Sequence, residues 1–212
     1  SEQSFLAEIT IYLTVEDAFF SGYEMRRWET ALNDGSFGRQ IATGIKKSRP
    51  AVDGSGDLAV FVTAANDLVF IATDDPSDRA ELGEPGLIHA VATSPDSRYV
   101  SLVLRDTSTG LPVNEILLID MVNSCSKTYE LVAPVLDGSS VDNVLYADAM
   151  TFSADSSLLI YDALSSVRFS SGNTVQRWSI SAIDPASGRT SVIIPPLDGV
   201  DTGNPSFGRA GN

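Results

Sequence analysis

Thiol and imidazole chemistry has almost nothing to draw on in this chain. Its 212 residues contain one cysteine, Cys125, and one histidine, His89. A lone cysteine cannot close an intramolecular disulfide or build a cysteine-rich zinc site. A catalytic thiol needs a nearby base, so Cys125 is expected to be a buried structural residue. Basic residues are scarce too: 14 Lys and Arg stand against 28 Asp and Glu, a net charge of −14. Nucleic acid and anionic membrane surfaces are bound through basic patches, so both are excluded as partners. The acidity serves solubility, with a cation site or a basic partner as the functional alternative. No apolar run approaches the roughly 18 residues of a membrane span, so membrane insertion is not expected. The chain opens Ser1-Glu2-Gln3-Ser4, with no initiator Met, basic leader or long apolar segment. It reads as a mature product or as a piece of something longer. Scarce cysteine does not decide its compartment.

Several chemical motifs are missing as well. No Gly-rich phosphate loop follows a strand and opens a helix, and no Gly-x-Ser-x-Gly elbow accompanies His89. Asp74-Asp75-Pro76-Ser77-Asp78 is acidic enough for calcium but lacks the EF-hand ligand order and central Gly, so it reads as a solvated loop. Many carboxylates exist, yet nothing singles out a glycosidase pair. No catalytic residue, metal or cofactor is expected, and an enzyme is the less favoured class.

What the chain does have is a motif that recurs. Arg49-Pro50-Ala51-Val52-Asp53-Gly54-Ser55-Gly56, Ala92-Thr93-Ser94-Pro95-Asp96-Ser97-Arg98-Tyr99 and Thr151-Phe152-Ser153-Ala154-Asp155-Ser156-Ser157-Leu158 are three copies, and Asn204-Pro205-Ser206-Phe207-Gly208 begins a broken fourth. Aligning Val52, Thr93, Phe152 and Phe207 gives spacings of 41, 59 and 55 residues, the size of a four-stranded blade with insertions. Each full copy leads into a short β-branched or aromatic run: Leu58–Val62, Tyr99–Leu104 and Leu158–Tyr161. Third strands follow at Leu68–Ile71, Glu115–Asp120 and Gln176–Asp184, and fourth strands at Arg79–Leu82, Thr128–Val132 and Arg189–Ile194. Pro95 cannot donate a ladder hydrogen bond, so the first strand ends there. Asp96 and Asp155 accept backbone N–H groups in the turn that follows, which makes them turn formers rather than acids.

These residues resemble the TolB-type, WD-like propeller repeat, whose usual form is F-S-P-D-G-x-x-hydrophobic followed by I-(Y/W)-x-(V/I)-D-x-x-x-G. Ser94–Val100 with Glu115–Asp120 carries the pattern, and Phe152–Asp155 with Ile183–Gly188 repeats it. Ser replaces the usual turn Gly twice, and the first copy has lost the Pro-Asp pair. The resemblance implies an all-β propeller, a role in protein binding or assembly, and an extracytoplasmic location, periplasmic or secreted. It carries no specific activity, because such propellers serve as scaffolds, interaction domains and peptidase domains alike.

The N-terminal segment lacks a first strand. Ile9–Val15 matches a second strand, Arg27–Asp34 a third and Gly38–Ile41 a fourth. The stretch Tyr23–Leu32 has helix-forming composition, but the repeat register makes it a strand. The C-terminal copy supplies the missing strand, so the expectation is one domain over 1–212 with four blades of four antiparallel strands. The segments are 5–46 plus 204–207, 48–86, 88–137 and 147–198, with both termini sharing a blade. The alternative is a segment of a larger propeller. Residues entering the first strands, where a propeller's channel opens, are Arg49, His89, Asp148 and Asn204. They are the candidate ligand-binding residues for a protein partner or a small polar ligand. His89 is expected on a loop just before its strand. Trp28 and Trp178 take equivalent places and read as blade packing. The function that follows is a non-catalytic binding or assembly module. Its alternatives are a propeller domain of a larger hydrolase or peptidase, or an oligomer subunit that exchanges its terminal strand.

Overall fold

A computed structural model describes residues 10–17, 22–29, 38–47, 51–83, 85–170 and 172–207. Among them there is no helix; fifteen strands form four antiparallel sheets. The chain divides into two compact units, Ser1–Val52 with Gly56–Gly83, and Asp53–Ser55 with Glu84–Asn212.

The first unit holds two sheets. One is a three-stranded meander of β1 (Thr10–Asp17), β2 (Gly22–Glu29) and β3 (Arg39–Ile45). The other runs in order through β4 (Ala51–Val52), β5 (Leu58–Val62), β6 (Leu68–Ala72) and β7 (Arg79–Leu82). The middle strands β5 and β6 are apolar on both faces and almost wholly buried, whereas the edge strand β7 is exposed throughout. Met25, Ile41, Phe61 and Ile71 lie in one apolar cluster. The strand reading of the Tyr23 segment holds over Tyr23–Glu29, and 30–32 lie outside the described residues. Each residue of β2 pairs with β1, and Met25 is fully buried, so tertiary burial overrides helix propensity. In the acidic loop, Asp74 accepts the Arg27 guanidinium, and Asp75 Oδ1 accepts the Ser77 amide at 3.1 Å and hydroxyl at 2.6 Å.

The second unit repeats the meander twice, through β8 (Leu87–Thr93), β9 (Tyr99–Arg105), β10 (Glu115–Asp120) and β11 (Cys125–Glu130), then β12 (Ser140–Phe152), β13 (Leu159–Arg168), β14 (Thr174–Ile183) and β15 (Thr190–Ile194). A shared core includes Val103, Ile116, Phe152, Tyr161 and Ile183. β12 starts at Ser140, well before 147, because three register irregularities let one long strand follow its partner.

The recurring turn is built the same way twice. Ser94 Oγ donates to Asp96 Oδ1 at 2.6 Å and accepts the Tyr99 amide at 2.8 Å; Ser153 Oγ does the same with Asp155 at 2.6 Å and the Leu158 amide at 2.9 Å. Ser97 and Ser156, at the family's Gly place, adopt left-handed φ angles of 59° and 61°. Their hydroxyls offset that strain. Ser97 Oγ donates to Asp53 Oδ2 at 2.8 Å, and Ser156 Oγ accepts the Asp96 amide at 3.2 Å. The turn aspartates are therefore structural.

Two expectations are corrected. Residues 201–207 form no strand, and the N-terminal sheet has three strands among the described residues, so the termini share no blade there. Asn204 is left-handed at φ 53°, and Pro205 has no N–H to offer a ladder. Instead Thr202 Oγ1 donates to the Trp178 carbonyl at 2.9 Å and the Asn204 amide to Asp162 Oδ2 at 2.9 Å. Four blade sheets fit, and the open sheet accords with a segment of a larger propeller. Cys125 is exposed rather than buried, because it opens the edge strand β11.

Truncating the fully buried Ile116 to Ala is expected to cost about 2–5 kcal/mol in urea unfolding. The exposed Val122→Ala stays within about 0.5 kcal/mol. The hydroxyls of Ser153 and Ser157 hold the Asp155 carboxyl at about 2, below its ordinary 3.8. A depressed folded-state value stabilises above the unfolded value and is lost as pH falls through the folded one. The unfolding midpoint should therefore drop between pH 3.8 and about 2, and Asp155→Asn should shallow that drop.

Candidate functional site

His89 and Asp148 sit at corresponding places in the first strands β8 and β12, and each lies on a β-bulge. In β8, Ile88 pairs with Leu104 and Ala90 with Val103, so His89 is the extra residue. In β12, Ala147 pairs with Ala163 and Met150 with Tyr161, so Asp148 and Ala149 together oppose Asp162. A bulge re-aims the side chain it carries. The result is that His89 Nε2 lies 3.0 Å from Asp148 Oδ1. His89 is thus inside a strand, not on the loop before it.

Arg105, at the end of β9, places Nη2 2.7 Å from His89 Nδ1. A guanidinium only donates, so Nδ1 accepts, and the neutral ring carries its proton on Nε2, on the Asp148 side. Arg105 also donates to the Gly110 carbonyl at 2.9 Å. The His89 ring meets Tyr146 edge to face at 5.7 Å between centroids, and Tyr146 meets Trp178 likewise at 5.8 Å. Trp178 is thereby a packing residue behind the site.

Asp162 organises the cluster. Its Oδ1 accepts the Asp148 amide at 3.1 Å and the Ala149 amide at 2.7 Å, and its Oδ2 accepts the Asn204 amide at 2.9 Å. The two N–H groups that the bulge takes out of the ladder are satisfied by this carboxylate. A buried carboxylate is costly unless it is hydrogen-bonded, and Asp162 is only 3% exposed. Three backbone donors meet that requirement.

Of the four residues expected at the first-strand entries, His89 and Asp148 face each other, and Asn204 is tied to the same cluster by its backbone. Arg49 lies outside the described residues. Asp162 and Arg105 were not anticipated. A signal for Asp162 existed. Counted from the turn, it stands where Val62 and Val103 stand, both nearly inaccessible. A charge at a core valine's place marks a polar task.

No family model and no curated protein matches the chain. Solved structures do. A putative TolB from Agrobacterium tumefaciens is similar at 11% identity and a TM-score of 0.52, over 86% of this chain and 60% of that one. The β-propeller domain of the Trilobed protease from Pyrococcus furiosus, with an open velcro topology, is similar at 13% identity and 0.51, over 90% and 55%. Hydrazine synthase of Kuenenia stuttgartiensis gives 14% and 0.50, over 88% and 51%. The fold is that of a β-propeller, as in the putative TolB. This propeller chain spans about half to three fifths of the length of those structures. No described helix of the propeller is long and apolar enough to cross a membrane.

Asp162→Ala removes the acceptor of three part-buried amide hydrogen bonds, and a hydrogen bond to a charged group contributes about 1.5–3 kcal/mol. Urea unfolding of this variant should show a loss of at least about 3 kcal/mol, with faster hydrogen exchange at Asp148, Ala149 and Asn204. Unchanged exchange at Asn204 would break the link between the C-terminal segment and the site.

Proposed function

We propose that this propeller binds rather than catalyses, and that His89, Asp148 and Asn204 form the binding site. The observation carrying this reading is the pair of facing bulges. They hold His89 and Asp148 together while the Asp148 side chain stays 54% exposed. An exposed carboxylate beside an imidazole is an acceptor for a cationic group. The chain's net charge of −14 draws such a group in. The amino end of a peptide, on a protein partner or free, has that chemistry. His89 Nδ1 is engaged by Arg105, and its Nε2 lies 3.0 Å from Asp148 Oδ1. An extracytoplasmic location belongs to this reading through the resemblance to TolB-like propellers.

A second reading is a propeller domain within a larger peptidase. It is favoured by the similarity to the propeller domain of a protease of which this chain spans 55%.

The test is an NMR titration of the labelled protein with trialanine and with its N-acetylated form. Trialanine should shift the His89, Asp148 and Ala149 amides, the acetylated form should not, and Asp148→Ala should weaken binding at least about tenfold. Equal shifts from both peptides, or binding that survives Asp148→Ala, would contradict the proposal.

A further inference from the structure

The edge strands that end the other four-stranded sheets carry charge. β7 presents Arg79 and Glu81, paired with each other, and β11 presents Lys127 and Glu130. Charge on an edge strand blocks the approach of another strand. β15 has none. It reads Thr190-Ser191-Val192-Ile193-Ile194, with Ile193 50% and Ile194 39% exposed. It pairs with β14 on one side, and among the described residues no strand pairs with the other. Pro195 and Pro196 stop the ladder and limit the open edge to these five residues. Just beyond in sequence stand exposed Asp198 and Asp201, with Arg177 of β14 4.0 Å from Asp198, and just before the strand stands Arg189, 3.9 Å from Asp184.

We propose that the outer edge of β15 is a docking site for an extended peptide segment of a basic partner. The segment adds a fifth strand to the sheet. Its main chain pairs with β15, its β-branched side chains cover Ile193 and Ile194, and a lysine or arginine lies beside Asp198 and Asp201. Charge decides the occupant. A second copy of this chain brings another −14 and sets acid against acid, whereas a basic segment is attracted. The site is separate from the His89 cluster and stands without it.

The experiment uses the full chain and a labelled, N-acetylated peptide of alternating threonine and valine led by lysines. Its control has proline in place of each valine. Anisotropy should show binding of the first and not the second, with slowed hydrogen exchange at 190–194. Ile193→Lys, at an exposed position, should weaken binding at least about tenfold. Ile193→Thr, which keeps a β-branched neutral edge, should change it by less than about threefold. Asp198→Asn with Asp201→Asn should weaken it and flatten its salt dependence, and Asp148→Ala should leave it unchanged. Equal binding of the proline peptide, no effect of Ile193→Lys, or self-association of the chain with protection of 190–194 would each overturn the proposal.

Discussion

The carboxylate of Asp162 is the constraint on which the candidate site depends. It lies in the second strand of its blade, where the two neighbouring repeats place a core valine. Burying a charge there is unfavourable by itself. Three amides make it tolerable, and those amides define what surrounds it. Two come from the bulge that aims Asp148 at His89, and the third comes from Asn204. One side chain thus fixes a distortion in β12, a contact to β8 through Asp148, and the course of the chain after β15. Stability and candidate function meet in the same hydrogen bonds.

The blades themselves rest on simpler physics. Short apolar runs such as Leu58–Val62 and Tyr99–Arg105 have both faces buried, while the connecting turns keep their polar groups satisfied locally. Serine at the left-handed turn position is unfavourable for its backbone, but its hydroxyl reaches the turn next to it. The departure from the family's glycine is therefore a link between repeats rather than a defect.

Much of this was legible in the amino-acid order. The strands of three blades follow from apolar runs and turn residues, because both signals are local. The conflict at Tyr23–Leu32 was resolved by repeat register, which stands in for tertiary burial. What escaped was long-range. Bulges at His89 and Asp148 leave no mark in composition. The fate of Asn204 depended on an acceptor 42 positions away that is absent from the other repeats. The expectation that the C-terminus completes the first sheet assumed that motif similarity implies strand pairing. Pro205 and a left-handed Asn204 weigh against a strand, and Asp162 offered the amide a better partner. Cys125 was misplaced because its residue type outweighed its position at the start of an edge strand.

The central claim is that one buried carboxylate accepts all three amides at once. Scalar couplings across hydrogen bonds, measured by NMR on uniformly labelled protein, report this directly. The account predicts couplings from the Asp162 side-chain carboxyl carbon to the amide nitrogens of Asp148, Ala149 and Asn204. Couplings to the first two with none to Asn204 would sever the C-terminal segment from the site, and none at all would contradict the account.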